Sequence, residues 1–178
     1  MTAAVAPSFA TGFDAYRVST CAATVLLGLM AGFFFAFAID VAPAMAQLDA
    51  ATYVKTQQWI NRVVRNVPFA ITYFGSAILP FVPALMAARR SHRRLALAWG
   101  AVALVYLGAV FWVTRSINVP INDALAQWNP VAPPADWAVA RDRWNEATLW
   151  RSVASACCFG VAVVLTALPG ARDRATMA

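Results

Sequence analysis

The sequence predicts an all-α fold: a membrane-embedded four-helix bundle, with additional short helices in the two loops on its outer side. Two observations predict it. Only 12% of the 178 residues are charged and 61% are hydrophobic, whereas about a quarter of the residues in soluble domains are charged. In addition, four stretches long enough to cross a bilayer contain no charged residue. We therefore expect a single integral membrane domain over residues 1–178.

The four predicted spans follow from the thickness of a membrane. A helix rises about 1.5 Å per residue, so about 20 apolar residues cross a hydrocarbon layer of roughly 30 Å. Inside lipid each backbone polar group has to be bonded within its own segment, which favours helix over strand. The uncharged stretches that satisfy this length are 18–39, 66–88, 95–114 and 152–171.

The loop between the second and third spans sets the expected orientation. It contains four arginines in six residues, at positions 89–94. Short arginine-rich loops stay on the cytoplasmic side of a membrane. Both termini are then cytoplasmic, in agreement with Arg172 and Arg174 in the tail, and the connections at 40–65 and 115–151 share the outer side. We expect a multi-pass protein of a bacterial inner or plasma membrane.

Both outer connections are expected to contain helix. Asp49 is suited to cap the start of a helix in the first connection, where Gln57 and Asn61 share one face at i, i+4 spacing. In the second connection, prolines at 130, 133 and 134 enforce extended chain. Asp136 then caps a helix that runs through Trp144 into the last span.

Composition argues against several classes of function. The net charge of +6 suits nucleic-acid binding, but long apolar runs separate the basic residues, so they form no stripe along a phosphate backbone. The sole histidine, His92, stands in the arginine-rich loop, and the three cysteines lie within apolar segments, where we expect buried thiols. We therefore expect no nucleic-acid partner, no metal or haem site and no cofactor.

A first polar cluster, at 115–123, follows the third span directly. It contains Arg115, Asn118, Asn122 and Asp123. We expect Pro120 to end the helix here, because it lacks an N–H and restricts the residue before it. Two interpretations remain open: the asparagines cap the broken backbone, or their amides point into a pocket and bind a ligand oxygen.

A second polar cluster lies at 141–151, before the fourth span. Two overlapping sets recur in it at helical spacing: Arg141, Asn145 and Thr148, and Trp144, Thr148 and Arg151. Either this is a solvated face with i, i+4 charge pairs, or it is part of a site. Arg151 begins a membrane span, so we expect it to extend outward to water or to pair with an acid such as Asp123 or Glu146.

Four motifs carry a resemblance to a known family: Pro43-x-Met45-x-x-Leu48, Gln57-Gln58-Trp59-Ile60-Asn61, Asn118-Val119-Pro120-Ile121-Asn122-x-x-Leu125-x-x-Trp128, and Arg143-Trp144-Asn145 with Arg151. In these motifs the chain resembles the anthrone-oxygenase-like family, small four-helix membrane proteins long catalogued as a domain of unknown function. The most specific motif is the asparagine-proline-asparagine pattern, and one departure stands at Thr148, where some relatives have asparagine.

The resemblance implies oxidation of an anthrone to an anthraquinone by dioxygen without a cofactor, because an anthrone anion is an electron-rich phenolate that reduces dioxygen directly. Two asparagines would hold the enolate oxygen, Arg151 or Arg115 would supply positive charge, and tryptophans would stack on the ring, with Asp123 as the base. The implied site comprises catalytic Asn118, Asn122, Asp123 and Arg151, and substrate-binding Gln57, Asn61, Arg115, Trp128, Trp144 and Asn145.

The alternative is a non-enzymatic membrane protein that binds a lipid, a quinone or a partner subunit. If the protein is an enzyme, we expect an enclosed polar pocket beneath the outer loops that opens sideways to lipid. If it is a subunit of a larger complex, we expect an exposed apolar patch on those loops. The expected partners are a hydrophobic aromatic small molecule and the lipid bilayer. Gly28 and Gly32 have small-xxx-small spacing, which fits either packing within one bundle or a homo-oligomer seam.

Overall fold

Residues 15–167 are described by the structure, a computed structural model. Of these residues 86% are helical and none lies in a strand, so the predicted all-α class is confirmed. Residues 1–14 and 168–178, including Arg172, Arg174 and the end of the predicted fourth span, lie outside the described part. The five helices of the described part are α1 (Ala15–Met45), α2 (Ala50–Val63), α3 (Val67–Arg89), α4 (Arg93–Ala126) and α5 (Trp137–Ala167).

Four of these helices, α1, α3, α4 and α5, are long and apolar enough to cross a membrane. They form an up-and-down bundle in which α1 packs on α3 and α5, and α4 packs on the same two helices. Large apolar side chains such as Leu29, Phe35 and Leu104 are exposed on the outside of the bundle. Water would penalise such a surface and lipid does not, so the chain is a multi-pass membrane protein.

The interior of the bundle contains two groups of packed side chains. One fills the middle of the bundle around Leu27, Trp99 and Tyr106. The other lies at the end of the bundle that α2 covers, which is called the outer end after the predicted orientation. This outer cluster joins α2 to the ends of the long helices through Phe37, Met45, Tyr53, Val54, Leu125 and Trp144. Between membrane helices such contacts stabilise through close packing, because lipid tails are as apolar as the side chains.

Gly28 is needed for the contact between α1 and α5. A Cβ atom at this position would lie 2.8 Å from Cε2 of Phe159, which is closer than real Cβ atoms approach. At Gly32, four residues on, the described chain offers no atom within 4 Å of such a Cβ. Packing within one bundle therefore accounts for Gly28, while the homo-oligomer stays a prediction.

The helix break predicted at Pro120 is wrong, because α4 continues through it to Ala126. The turns before it, Leu107–Trp112 and Thr114–Asn118, are wider π-type turns. A proline ring normally clashes with the carbonyl one turn earlier. The π-type register shifts that carbonyl, and Pro120 then occupies the first turn of a regular segment.

The outer connections are consequently shorter and more helical than predicted. Helix α1 also passes its predicted end through a π-type turn, Phe37–Val41, and reaches Met45. The predicted cap of α2 is confirmed, since Asp49 Oδ1 accepts from the Thr52 N–H at 3.1 Å. Helix α2 lies across the outer end of the bundle, where Gln58 Nε2 donates to the carbonyl oxygens of Leu125 and Trp128 at 2.9 and 3.0 Å.

The prediction that the cysteine thiols are buried is confirmed for one of the three. Cys158 is buried, but Cys21 and Cys157 are exposed on the surfaces of their helices. A thiol behaves as a small apolar group, and in a membrane such a group faces lipid at little cost. The expectation of burial applied a rule of soluble proteins to a lipid-exposed surface.

Candidate functional site

A cavity of about 740 Å³ lies between α1, α3, α4 and α5, beneath the outer end of the bundle. Ligand sites are typically about 300–1,000 Å³. Its exposed lining residues include Phe33 and Phe74 on lipid-facing surfaces, and Arg65 and Arg115 at the outer rim. Much of the wall is aromatic rather than polar: Phe33, Phe34, Phe37, Phe69, Tyr73, Phe74, Phe111 and Trp144.

Arg151 forms the polar end of this cavity. Its side chain is only 4% exposed, and it donates from Nη1 to Thr114 Oγ1 at 2.9 Å and from Nη2 to Thr148 Oγ1 at 2.7 Å. The guanidinium also lies 4.6 Å from the ring centre of Phe34. Both expectations for Arg151 are therefore wrong: it neither extends to water nor pairs with an acidic residue of the described chain.

Two threonine hydroxyls explain why Arg151 remains inside. Thr114 donates its own proton to the Val110 carbonyl at 2.7 Å, and Thr148 donates to the Trp144 carbonyl at 2.9 Å. Each hydroxyl oxygen therefore offers only lone pairs to the guanidinium. Both partners are neutral, and Nε has no hydrogen-bond partner in the described chain. A buried charge without a counter-ion costs several kcal/mol, so the site is suited to an anion.

Trp144 fixes the orientation of both asparagines. Its indole N–H donates to Asn122 Oδ1 at 2.8 Å, and its backbone carbonyl accepts from Asn118 Nδ2 at 3.2 Å. An indole N–H only donates and a carbonyl only accepts, so neither amide can be reversed. The capping interpretation is wrong, since no side-chain cap forms at Asn118 and both residues line the cavity.

The fixed orientations leave one amide oxygen and one amide NH2 group without a partner in the described protein. Asn118 is 1% exposed, and its Oδ1 is buried and has no hydrogen-bond partner among the described residues. Asn122 uses Oδ1 for both of its hydrogen bonds within residues 15–167, which leaves the Nδ2 amide protons unused by the protein. The polar end of the cavity therefore combines the positive charge of Arg151 with the unused amide donor of Asn122.

Helix α2 supports this end of the cavity through a chain of amides. Gln57 Nε2 donates to Asn61 Oδ1 at 3.4 Å, and Asn61 Nδ2 donates to Asn122 Oδ1 at 3.2 Å. Gln57 and Asn61 are both buried, on the helix face that their i, i+4 spacing predicted them to share. Asn61 lines the cavity, whereas Gln57 lies behind it and holds Asn61 in place.

Six of the ten residues predicted for the site line the cavity, and four do not. Asp123 lies outside, with its carboxylate 65% exposed and 3.7 Å from Nη2 of Arg65. Trp128 packs against the outer cluster, Asn145 is half-buried elsewhere on α5, and Gln57 lies behind Asn61. Those in the lining are Asn61, Arg115, Asn118, Asn122, Trp144 and Arg151.

Sequence reasoning missed several lining residues. Thr114 was predicted only as the end of a span. Its role is to accept a hydrogen bond from Arg151, and this contact depends on where α5 places the arginine. Arg65 gave no signal beyond a single charge. The aromatic wall was hidden within the spans, because an aromatic residue in an apolar helix faces lipid or a cavity with the same local pattern. The run Phe33-Phe34-x-x-Phe37 was the strongest hint available.

Titratable groups are sparse around the cavity. Its described lining contains no aspartate, glutamate or histidine. Within residues 15–167 no group of three or more metal-ligating side chains comes together. In the outer cluster, burial raises the pKa of Tyr53 to about 12, so this hydroxyl stays protonated at neutral pH. Among the charged residues of the described lining, Arg151 is buried, whereas Arg65 and Arg115 are exposed.

Comparison with known proteins gives one match. A family model described as anthrone oxygenase matches residues 69–164, which is more than half of the 178-residue chain. No curated protein and no solved structure matches this chain. The matched region carries the cavity residues of α4 and α5, including Asn118, Asn122 and Arg151, while Phe34 and Asn61 precede it.

Proposed function

The chain belongs to the anthrone oxygenase family, and from this membership we propose that it is a membrane-bound oxygenase that oxidises a flat anthrone-type aromatic with dioxygen, without a cofactor. The observation that carries the proposal is the guanidinium of Arg151, buried without a counter-ion at the end of an aromatic cavity. A flat ring fits the walls, and an oxyanion on that ring supplies the missing negative charge.

Binding uses the aromatic wall and the lipid-facing rim. An apolar substrate dissolved in the membrane enters beside Phe33 and Phe74, which are exposed to lipid. Its rings then pack against Phe34 and Phe111 within the cavity. An aromatic pair contributes about 0.5–1.5 kcal/mol beyond its buried area, so a few such contacts place the substrate oxygen at the polar end.

Ionisation of the substrate is the step that the polar end promotes. Loss of a methylene proton turns an anthrone into an aromatic phenolate. Arg151 and the free amide of Asn122 hold its oxygen. A preorganised donor of this kind contributes about 3–4 kcal/mol, and about 1.4 kcal/mol corresponds to one pKa unit. One donor therefore lowers the pKa of the bound anthrone by about 2–3 units, and the proton leaves through the rim, where water or the predicted base Asp123 accepts it.

Oxidation of the anion then needs only dioxygen. The phenolate transfers one electron to dioxygen, and the resulting superoxide and carbon radical combine at the former methylene carbon. After protonation this is a hydroperoxide. It loses water as the O–O bond and the remaining C–H bond break, which leaves a second ring carbonyl. One oxygen atom enters the product and the other leaves as water, so anthrone plus dioxygen gives anthraquinone plus water.

Oxygen uptake with dithranol or emodin anthrone tests the proposal. Arg151→Met should lower turnover by at least about 100-fold, as loss of a single oxyanion donor does. Arg143→Gln is the matched control, since Arg143 is exposed outside the cavity lining and should leave turnover unchanged. Thermal unfolding of each variant checks folding. Uptake no faster than with heat-inactivated protein, or full activity of Arg151→Met, would refute the proposal.

A ligand-binding protein without turnover is the second candidate function. The observation that favours it is the lack of a carboxylate or histidine base in the described lining. It predicts that hydroxyanthraquinones or other acidic, flat aromatics bind to the cavity in an Arg151-dependent manner while dioxygen is not consumed. The oxygen-uptake measurement separates the two, because binding alone leaves the oxygen concentration constant.

A further inference from the structure

A second recess lies at the opposite end of the bundle, on the outside of the α3–α4 hairpin. It is a groove of about 640 Å³, here the hairpin groove. Alanines form its floor, and Phe81, Leu85 and Leu97 form walls that are all exposed on the helix surfaces. The complete lining is Phe81, Ala84, Leu85, Ala88, Ser91, Arg93, Ala96 and Leu97.

A tight turn closes the basic end of this groove. Ser91 adopts φ 59°, in the left-handed region. The N–H groups of Ser91 and His92 donate to the carbonyls of Ala88 and Ala87 at 3.0 and 2.9 Å, which is the bond pattern of a Schellman cap. The cap ends α3, and Ser91 and Arg93 lie at one end of a groove whose other lining residues are apolar.

Three arginines at this end have no acidic partner within the described chain. Arg89, Arg93 and Arg94 are exposed and form no ion pair with a described residue. All the described acidic residues lie at the other end of the bundle: Asp40, Asp49, Asp123, Asp136, Asp142 and Glu146. An apolar groove in a membrane span and a cluster of arginines at its edge together match a lipid acyl chain and an anionic headgroup.

We propose that the hairpin groove binds an anionic phospholipid, with an acyl chain between α3 and α4 and the phosphate against Arg93 and Arg94. The groove follows α3 from Phe81 to Ala88, which at about 1.5 Å per residue is about 10 Å. It therefore takes the headgroup-proximal part of one acyl chain. The site is separate from the aromatic cavity, and its occupancy does not depend on the proposed oxidation.

Each arginine near an anionic membrane surface strengthens binding by about fivefold. Replacing two arginines should therefore weaken binding of phosphatidylglycerol by about 25-fold and leave the weaker binding of phosphatidylcholine unchanged. Native mass spectrometry of the full chain, released from detergent with each lipid added in turn, measures both affinities. The test variant is Arg93→Gln/Arg94→Gln, and its control, Arg62→Gln/Arg143→Gln, removes the same charge at the outer end.

A groove-filling pair tests the acyl chain separately. Ala88→Trp fills the groove at an exposed position, and Leu104→Trp adds the same side chain on a lipid-facing surface outside it. Phosphatidylglycerol binding should fall with Ala88→Trp only, and glycerol 3-phosphate, which lacks acyl chains, should not bind. Unchanged thermal unfolding and unchanged dithranol oxidation by all variants confirm that they fold.

Four results would overturn the proposal. Equal affinity for phosphatidylglycerol and phosphatidylcholine would exclude headgroup recognition. Tight binding of glycerol 3-phosphate, or full lipid binding by Ala88→Trp, would show that the arginines bind phosphate without the groove. A lipid-free dimer that Ala88→Trp dissociates would show that a second copy of the chain covers the groove instead.

Discussion

Thr148→Val tests how the protein holds a buried charge. The substitution keeps the size and branching of the side chain and removes only the hydroxyl. That hydroxyl accepts from Arg151 Nη2 at 2.7 Å and donates to the Trp144 carbonyl at 2.9 Å. Hydrogen bonds to a charged group contribute about 1.5–3 kcal/mol. We expect the free energy of unfolding to fall by about that amount, chiefly because Arg151 loses an acceptor.

Thermal unfolding followed by tryptophan fluorescence measures this loss. At about 2–4 °C per kcal/mol for a chain of this size, Tm should fall by about 3–12 °C. Thr72→Val is the matched control, because its hydroxyl donates only to the Pro68 carbonyl at an exposed position and should change stability by no more than about 0.5 kcal/mol.

A double-mutant cycle tests whether the lost stability comes from the hydrogen bond between Thr148 and the charged side chain of Arg151. In an Arg151→Met background the charged bond no longer exists. Thr148→Val then removes only two neutral bonds, the one to the Trp144 carbonyl and the long one from Asn118 Nδ2 at 3.4 Å, so it should cost about 1 kcal/mol. A phenolate ligand should restore part of the stability of the single variant, since it supplies negative charge to the guanidinium. Equal costs of Thr148→Val in the two backgrounds would refute the reasoning.

Three further predictions follow from the geometry. Gly28→Ala should lower the free energy of unfolding by about 1–3 kcal/mol through overpacking, whereas Gly32→Ala, at an open helix position, should be neutral or stabilising. Thermal unfolding of the two variants measures the difference, and equal effects would contradict the close contact between Gly28 and Phe159. Trp144→Phe removes the N–H that orients Asn122 while keeping an aromatic ring at the position, so turnover of dithranol should fall by about tenfold with little change in KM. An effect confined to KM would instead indicate a stacking role. In a cysteine-free background, Ser91→Cys should react with an impermeant maleimide only from the cytoplasmic side; labelling from outside would reverse the predicted orientation.

The spans were predictable from sequence because each depends on the sum of many apolar residues. No single side chain decides whether about 20 residues cross a bilayer. The cap at Asp49 was predictable for the opposite reason, since it depends only on Thr52, three residues away. Neither the spans nor this cap depends on how the helices pack against one another, so both can be predicted without that knowledge.

Pro120 shows where local rules fail. The expected break follows from the ring of a single residue, but the π-type turn before it changes which carbonyl the ring meets. That wider turn is part of the segment that packs on α5 near Thr148 and Arg151. Tertiary packing therefore overrides a strong local preference at the position where the site is built, as is frequent for π-type turns at functional sites.

The site residues also divide into those that a local pattern indicates and those that depend on how the helices pack. Asn118, Asn122, Trp144 and Arg151 were identified because polar residues at membrane-helix ends are conspicuous. The partners of Arg151 were not, because two neutral hydroxyls on different helices replace the expected acid. Asp123 instead pairs with Arg65, 58 positions earlier in the chain, and no local pattern indicates a contact at such separation. Its role as the catalytic base stays a prediction.

The central claim is that Arg151 stabilises an oxyanion in the aromatic cavity, and the colour of a bound hydroxyanthraquinone tests it most directly. The visible absorption of such a ligand reports the ionisation of its phenol, so a pH titration of the complex gives the pKa of the bound group. The account predicts a pKa about 2–3 units below that of the free ligand, and return to the free value with Arg151→Met. A bound ligand that titrates like the free one, or a shift that survives Arg151→Met, would contradict it.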